Sequence, residues 1–478
     1  MNTTTKKPSP FVSLATILLL VVLLAVTIRI FGSSSLEGGS QMVLLTTTAI
    51  CVAISMGFYH VKWKAIEDAI VKNISGVGVS LLILLLIGAL SGSWMISGIV
   101  PTLIYYGIDI IHPNFYLAST CIICCVVSVM TGSSWTTIAT IGIALMGVGQ
   151  AQGFSDGWIA GAIISGAYFG DKISPLSDTT VLASSITDTP LFTHIRYMMK
   201  TTIPSIILTL IIFTVAGFMH QSTGAEQLGL YTDTLKETFH ISLWLLVVPV
   251  LTGIMIARKF PSLVTLFLSA LLAGIAAIIF QPHLLEQIAG GVVGASGMFK
   301  GLLIAFYGST QIDTGDATLN DLVSTGGMAG MLNTVWLILC AMCFGGAMTA
   351  SGMLQSIISL FIRFMRKTVG MVASTVVSGI FFNLTTSDQY ISIILTGNLF
   401  RHIYKERGYE SRLLSRTIED GVTVTSPLIP WNTCGMTQSA ILGISTFTYF
   451  PYCFFNIISP LMSIAIAAIG YKIVRTKE

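Results

Sequence analysis

The stretch Gly170-Asp171-Lys172-Ile173-Ser174-Pro175-Leu176-Ser177-Asp178-Thr179-Thr180 follows directly on the apolar run from Trp158 to Phe169. Pro175 has no backbone donor and disfavours helix at Ser174, so a helix begun in the apolar run must break here. The break gathers two carboxylates, Asp171 and Asp178, with the hydroxyls of Ser174 and Thr179. Unwound backbone at membrane depth survives only where it is buried or lines a cavity, and ionisable groups there mark ion or substrate pathways. The alternative reading is structural: Asp171 pairs with Lys172 or another cation to hold the fold.

Composition says that a membrane is the right setting. Of 478 residues 53% are hydrophobic and 9% charged, and the mean hydropathy is +0.84, too little polar surface to cover a soluble globule. Apolar segments near 11–31, 41–59, 73–95, 200–219, 239–257, 261–280, 295–312, 333–355 and 452–471 have the length of spanning helices. The first reads as an uncleaved span. A formal net charge of +3 gives no reason to expect nucleic acid, and the eight cysteines read as small packing residues. The expected location is a membrane that the chain crosses several times, with the lipid bilayer as the main partner.

Shorter apolar pieces broken by polar clusters lie at 115–130 with 137–149, 157–169 with 181 onward, 368–382 with 389–400, and 422–446. They match in pairs when the sequence is shifted on itself by about 250 residues. Gly92 and Ser97-Gly98 match Gly346 and Ser351-Gly352, Thr131-Gly132-Ser133 matches Thr385-Thr386-Ser387, and Ser174-Pro175-Leu176 recurs as Ser426-Pro427-Leu428. Loop charges reverse between the copies. Lys62, Lys64 and Lys72 correspond to Asp313, Asp316 and Asp321; Asp109 to Arg363, Arg366 and Lys367; Asp156 to Arg401, Lys405, Arg407, Arg412 and Arg416. Under the positive-inside rule that reversal predicts two copies inserted in opposite orientations.

The predicted fold is therefore an all-α polytopic membrane protein with two inverted-topology repeats, re-entrant hairpins and broken helices. An N-terminal transmembrane helix occupies 1–38, the first repeat 39–219, a linker with intervening transmembrane helices 220–294, and the second repeat 295–478. Hairpin tips fall at Thr131 to Thr136 and at Asn383 to Asp388. Three apparent spans between 200 and 280 give the second copy the wrong orientation, so one of them is expected not to cross fully.

Sodium needs hard oxygen ligands. The first tip offers Thr131, Ser133 and Ser134; the second offers Asn383, Thr385 and Asp388; the second break offers Thr425, Ser426, Asn432 and Thr433. Asp171, Asp178 or Asp388 is the expected sodium carboxylate. Glu419 and Asp420 are as readily a solvated pair with Arg412 or Arg416. All seven histidines lie at or beyond predicted helix ends, so proton coupling falls to carboxylates.

The string Gly161-Ala162-Ile163-Ile164-Ser165-Gly166-Ala167-Tyr168-Phe169-Gly170-Asp171-Lys172, continuing through Thr180, resembles the signature of the NhaC sodium/proton antiporters, and Thr131-Gly132-Ser133-Ser134-Trp135-Thr136-Thr137 is similar to that family's hairpin motif. Val181 stands where the family usually has Asn. The resemblance implies a secondary transporter, not an enzyme, that exchanges sodium for protons by alternating access. Sodium ions and protons are then cargo, and no other cofactor is expected. Relatives in the same family exchange malate and lactate, so a small carboxylate as a further partner stays open, with Lys172 as its counter-charge; so does a homodimer. An intramembrane protease fits poorly: Tyr168-Phe169-Gly170-Asp171 does not complete a Gly-x-Gly-Asp motif, and neither a His-Glu-x-x-His pattern nor a nucleotide-binding Gly-x-x-x-x-Gly-Lys-Ser/Thr motif occurs. A channel would show flux without an opposing gradient.

Overall fold

The computed structural model describes residues 8–31, 35, 37–220, 225–258, 260–314, 320, 323–356, 367–471 and 473. Asp316, Asp321, Arg363 and Arg366, used above to compare loop charges, lie outside these. The described residues are helical throughout, apart from connections and isolated bridge residues such as the antiparallel pair Thr310 and Thr325. Among the described residues eight helices are long and apolar enough to cross a membrane, or up to ten if each bent pair counts as one span. Large apolar side chains such as Leu18, Ile211 and Phe267 face outward, as they must where the surrounding solvent is hydrocarbon. All eight cysteines are free, and seven are buried.

Several segments differ from their apolar runs. The run at 73–95 is two helices, Trp63–Gly76 and Gly78–Ile96, and the supposed loop around Lys64 is helical, with Lys64 3.0 Å from Asp68 and 3.4 Å from Glu67. The run at 239–257 follows a bend of 87° and is helical only over 243–257, about 24 Å of rise. It is the shortest of the three segments between 200 and 280. The run at 295–312 is a 13-residue helix, Ala295–Tyr307, followed by extended chain.

Helix–turn–helix pairs stand at both positions where hairpins are predicted. Tyr116–Thr131 turns at Gly132 and Ser133 into Ser134–Thr137, which continues through a π-helical turn, Ile138–Gly142, into Ile143–Ala151. The Tyr116 hydroxyl donates to the Leu145 carbonyl at 2.5 Å, so the two arms run antiparallel. Thr368–Thr386 turns at Ser387 and Asp388 into Gln389–Glu406, with hydroxyls of Thr375 and Tyr404 2.9 Å apart across the arms.

The tips share one construction. Gly132 and Ser387 both have left-handed backbone, at φ 67° and 59°, and Ser133 and Asp388 are the extended N-caps that follow. Thr131 Oγ1 contacts the Ser133 carbonyl and the Thr137 hydroxyl; Thr386 Oγ1 contacts the Asp388 carbonyl and the Ser392 hydroxyl. Thr131 thus corresponds to Thr386 and Ser133 to Asp388, one residue beyond the register read from the sequence. Glycine in the sequence alignment had hidden this, because Ser387 takes the left-handed position that Gly132 fills without a Cβ.

The broken helices follow in the same order. Asp156–Ile173 stops where Pro175 requires, and Asp178–Ile186 resumes after it. Ser411–Ile418 passes through a π-helical turn at Glu419–Thr423 and a short 3-10 turn at Ser426–Leu428 before Thr433–Leu442. Asp156–Ile173 lies hard against Tyr116–Thr131: a Cβ on Gly166 would sit 2.2 Å from the Cys121 carbonyl oxygen, and one on Gly170 2.5 Å from Ser128 Cβ. Small residues allow this approach, as in membrane helix packing generally.

Candidate ion-binding site

Helix Asp156–Ile173 carries Asp171 to its last turn, where the first hairpin tip meets it. The Asp171 carboxylate is buried and accepts three hydrogen bonds: from the Ser134 amide at 3.2 Å, the Ser134 hydroxyl at 2.7 Å and the Ser177 hydroxyl at 2.6 Å. Two of these donors come from the tip and one from the break. Ser177 is also 3.0 Å from Thr179 Oγ1, and Ser174 ties the break to the hairpin by donating to the Val129 carbonyl at 2.8 Å. Gly132 abuts the break directly, since a Cβ there would lie 2.6 Å from Leu176 Cβ.

This junction forms one wall of a cavity of about 410 Å³. Thr131, Ser133, Asp171, Asp178 and Thr179 line it, together with Gln389 and Tyr390 from the second hairpin and Ser262 and Thr265 from helix Ser262–Phe280. Asp178 is exposed into that space. No lysine, arginine or histidine is among its described lining residues. At about 30 Å³ per water the cavity has room for a hydrated ion or a small organic molecule.

A second cavity, of about 840 Å³, reaches the opposite end of the same helix and is lined by Asp156, Gln150, Ser324 and Thr325. Asp156 accepts from the Gln150 side-chain amide at 2.9 Å. Fifteen helical residues, about 22 Å, separate Asp156 from Asp171.

The second tip and second break form a separate junction, buried and off the lining of the 410 Å³ cavity. Asp388 caps helix Gln389–Glu406 through the Ile391 amide at 2.9 Å and accepts from the Thr433 hydroxyl at 3.1 Å. Asn383 donates to the Val422 carbonyl at 2.7 Å and to Thr425 Oγ1 at 3.2 Å, and Asn432 donates back to the Asn383 carbonyl at 3.2 Å. Ser426 donates to Gln389 Oε1 at 3.2 Å, which links this junction to the wall of the 410 Å³ cavity. Thr385 stands apart, bonding back to Phe381 in its own helix.

Two expectations about charge need correcting. Lys172 does not pair with Asp171: its ammonium lies against Asp420 of the second broken helix and 2.9 Å from Ser459 Oγ, with Lys172 and Asp420 fully buried. Nor are Glu419 and Asp420 a solvated pair, since both are fully buried, as is Arg416, whose Nε is 3.7 Å from Asp420 Oδ2. The apolar helices around the π turn enclose these residues, whereas the sequence placed them beside an exposed basic loop. Lys172 is accordingly committed to Asp420 and does not line the cavity as a counter-charge.

Sequence reasoning missed Ser177, although it stands inside the quoted break, and Gln389 and Tyr390, which follow directly on the second tip. It also missed the Lys172–Asp420 contact, which joins positions 248 residues apart and leaves no local signal. Val181, where the resemblance puts an Asn, is 42% exposed and does not line the 410 Å³ cavity.

The profile of the Na+/H+ antiporter family matches residues 166–471, which include the first break, the second hairpin and the second break. The chain belongs to that family. Among curated relatives of this antiporter family, the malate-2H(+)/Na(+)-lactate antiporter of Bacillus subtilis (strain 168) is 37% identical over 90% of this chain and 89% of its own length. The Na(+)/H(+) antiporter NhaC of the same organism is 33% identical, covering 94% of this chain and 96% of itself. The NhaC antiporter of Alkalihalophilus pseudofirmus is 34% identical, with 95% of each chain covered.

Proposed function

We propose that this protein exchanges sodium for protons across a bacterial inner membrane by alternating access, with Asp171 as the carboxylate for which the two cations compete. The observation that carries this reading is the setting of Asp171: three donors from tip and break fix its carboxylate at the wall of a cavity that it shares with Asp178. Hydroxyls of Thr131, Ser133 and Thr179 supply further hard oxygens on the same wall. The hydrogen bonds orient the carboxylate, and a sodium ion or a proton neutralises it. Only a neutralised site crosses the low-dielectric interior cheaply, so each passage carries one cation or the other.

The two cavities at opposite ends of Asp156–Ile173 are the expected access routes. We take the shared order of hairpins and broken helices, with the shared tip construction, as two inverted repeats whose rocking opens one cavity while closing the other. The tips then lie at the membrane midplane.

Coupled exchange of a small carboxylate is the second reading, favoured by the room in the cavity and by the malate/lactate relative. Its lining of two carboxylates, with no described cation, speaks for cation exchange instead. Purified protein in proteoliposomes with a trapped pH dye decides between them. Sodium alone should move protons, and Asp171→Asn should abolish the movement. A requirement for malate or lactate would replace the proposal with the carboxylate exchanger.

A further inference from the structure

Beyond the cavity, the described core holds a buried charge cluster at the contact between the two broken helices. Lys172, Arg416, Glu419 and Asp420 are all fully buried, and Asp171 is 6% exposed at the cluster's edge. Asp420 is provided for on one oxygen: Oδ1 meets Lys172 and accepts from Thr201 at 3.1 Å and Ser459 at 3.0 Å, while Oδ2 has no hydrogen-bond donor and lies 3.7 Å from the Nε of Arg416. Glu419 is less well provided. Neither of its carboxylate oxygens has a hydrogen-bond donor, and the Thr423 hydroxyl lies beside it without completing a bond. Burying an ionised carboxylate without donors is strongly unfavourable.

Counting formal charges makes the consequence specific. With every group ionised, Lys172 and Arg416 supply two positive charges against three negative ones from Asp171, Glu419 and Asp420. The cluster is one negative charge in excess. A proton on Glu419 removes that excess while Asp171 stays ionised; a sodium ion at Asp171 removes it equally well.

The surroundings offer no other compensation. Among the elements packed against the π turn, helices Thr368–Thr386 and Phe454–Ile469 carry no titratable residue. Helix Leu191–Met219 contributes His194, whose Nδ1 is 2.8 Å from Ser415 Oγ, and Tyr197, whose ring packs under Lys200, Arg412 and Arg416; Arg412 is itself paired with Glu410 at 2.5 Å. Gln389–Glu406 contributes Tyr404, held 2.9 Å from Thr375, while its Arg401, His402, Lys405 and Glu406 are exposed at the far end. Asp178, on the helix after the first break, faces the cavity.

We propose that Glu419 carries an exchangeable proton that leaves when sodium binds at Asp171. The inference rests on the sodium reading of Asp171 and adds a second carboxylate to it. The step balances: the Glu419 O–H bond breaks, the proton passes to water, the carboxylate keeps the electron pair, and the sodium charge replaces the proton charge in the same cluster.

The test is proton release on sodium addition to detergent-purified protein, followed with a pH dye at the alkaline end of the exchange range, where proton competition at Asp171 is weakest. Wild type should release close to one proton per sodium bound. Glu419→Gln, which mimics the protonated state, should release almost none, and its sodium affinity, lowered at least tenfold, should cease to vary with pH there. Unchanged release in Glu419→Gln would overturn the inference and leave Asp171 competition standing. Absence of sodium binding in wild type would overturn both. Should Glu419→Gln fail to fold, infrared difference spectra supply the answer: sodium should remove a protonated-carboxyl band from wild type, and that band should shift in Glu419→Asp. A spectrum without such a band rejects the role of Glu419.

Discussion

The buried ammonium of Lys172 rests against the carboxylate of Asp420, joining the first broken helix to the second across 248 positions of sequence. Removing one partner of such a pair leaves the other charge buried alone, which typically costs about 3–5 kcal/mol. Lys172→Met and Asp420→Asn should therefore each lower the thermal midpoint of the purified protein markedly. The combined Lys172→Met, Asp420→Leu variant should recover part of the loss, because neither member of the pair is left buried alone, although Arg416 still loses its carboxylate neighbour. Additive losses in the double variant would show that the two side chains act independently.

Ser134 and Ser177 both donate to the ionised form of Asp171, and each such bond is worth about 1.5–3 kcal/mol. Deleting one donor disfavours the carboxylate relative to the carboxylic acid, so protons compete better with sodium. Ser134→Ala and Ser177→Ala should each move the pH profile of exchange to the alkaline side by about one unit, since about 1.4 kcal/mol corresponds to one unit. Proteoliposome exchange measured over a pH series checks this, and an acid-side shift would have the wrong sign.

Gly132 sits at φ 67°, and a Cβ there would lie 2.6 Å from Leu176 Cβ and 2.7 Å from the Leu176 carbonyl carbon. Gly132→Ala therefore meets both backbone strain and a clash with the break, at a cost of roughly 1–3 kcal/mol. Sodium affinity should fall together with the thermal midpoint, because the tip carries Ser134 to Asp171. Wild-type affinity and stability in this variant would mean that tip and break do not need their close contact.

Asp388 and Asp171 look alike in sequence but not in setting. Asp388 caps its helix and lies off the 410 Å³ cavity, whereas Asp171 lines it. Asn also caps well, so Asp388→Asn should retain saturable sodium binding within a few-fold of wild type. Abolished binding in a stable Asp388→Asn protein would move the sodium site to the second tip.

Much of this arrangement is legible in the sequence because its signals are local. Pro175 fixes the first break to within a residue, and the hydroxyl-rich strings at Thr131 and Asn383 mark both hairpin turns. Helix lengths are less legible where amphipathic or short helices adjoin apolar runs, as at Trp63–Gly76 and Ala295–Tyr307. Long-range pairing is least legible of all. Nothing near Glu419 in the chain distinguishes a solvated acid from a buried one, since the helices that enclose it come from distant parts of the sequence. Tip register shows the same limit: a one-residue offset is visible only once Ser387 is seen to occupy the left-handed position of Gly132.

Sodium binding to purified wild-type and Asp171→Asn protein, measured by titration calorimetry at several pH values, tests the central claim most directly. Wild type should bind sodium saturably, with affinity that weakens as pH falls, and Asp171→Asn should show no saturable binding at any pH. Sodium binding of wild-type strength and pH dependence in a folded Asp171→Asn protein would contradict the assignment of Asp171 as the shared site.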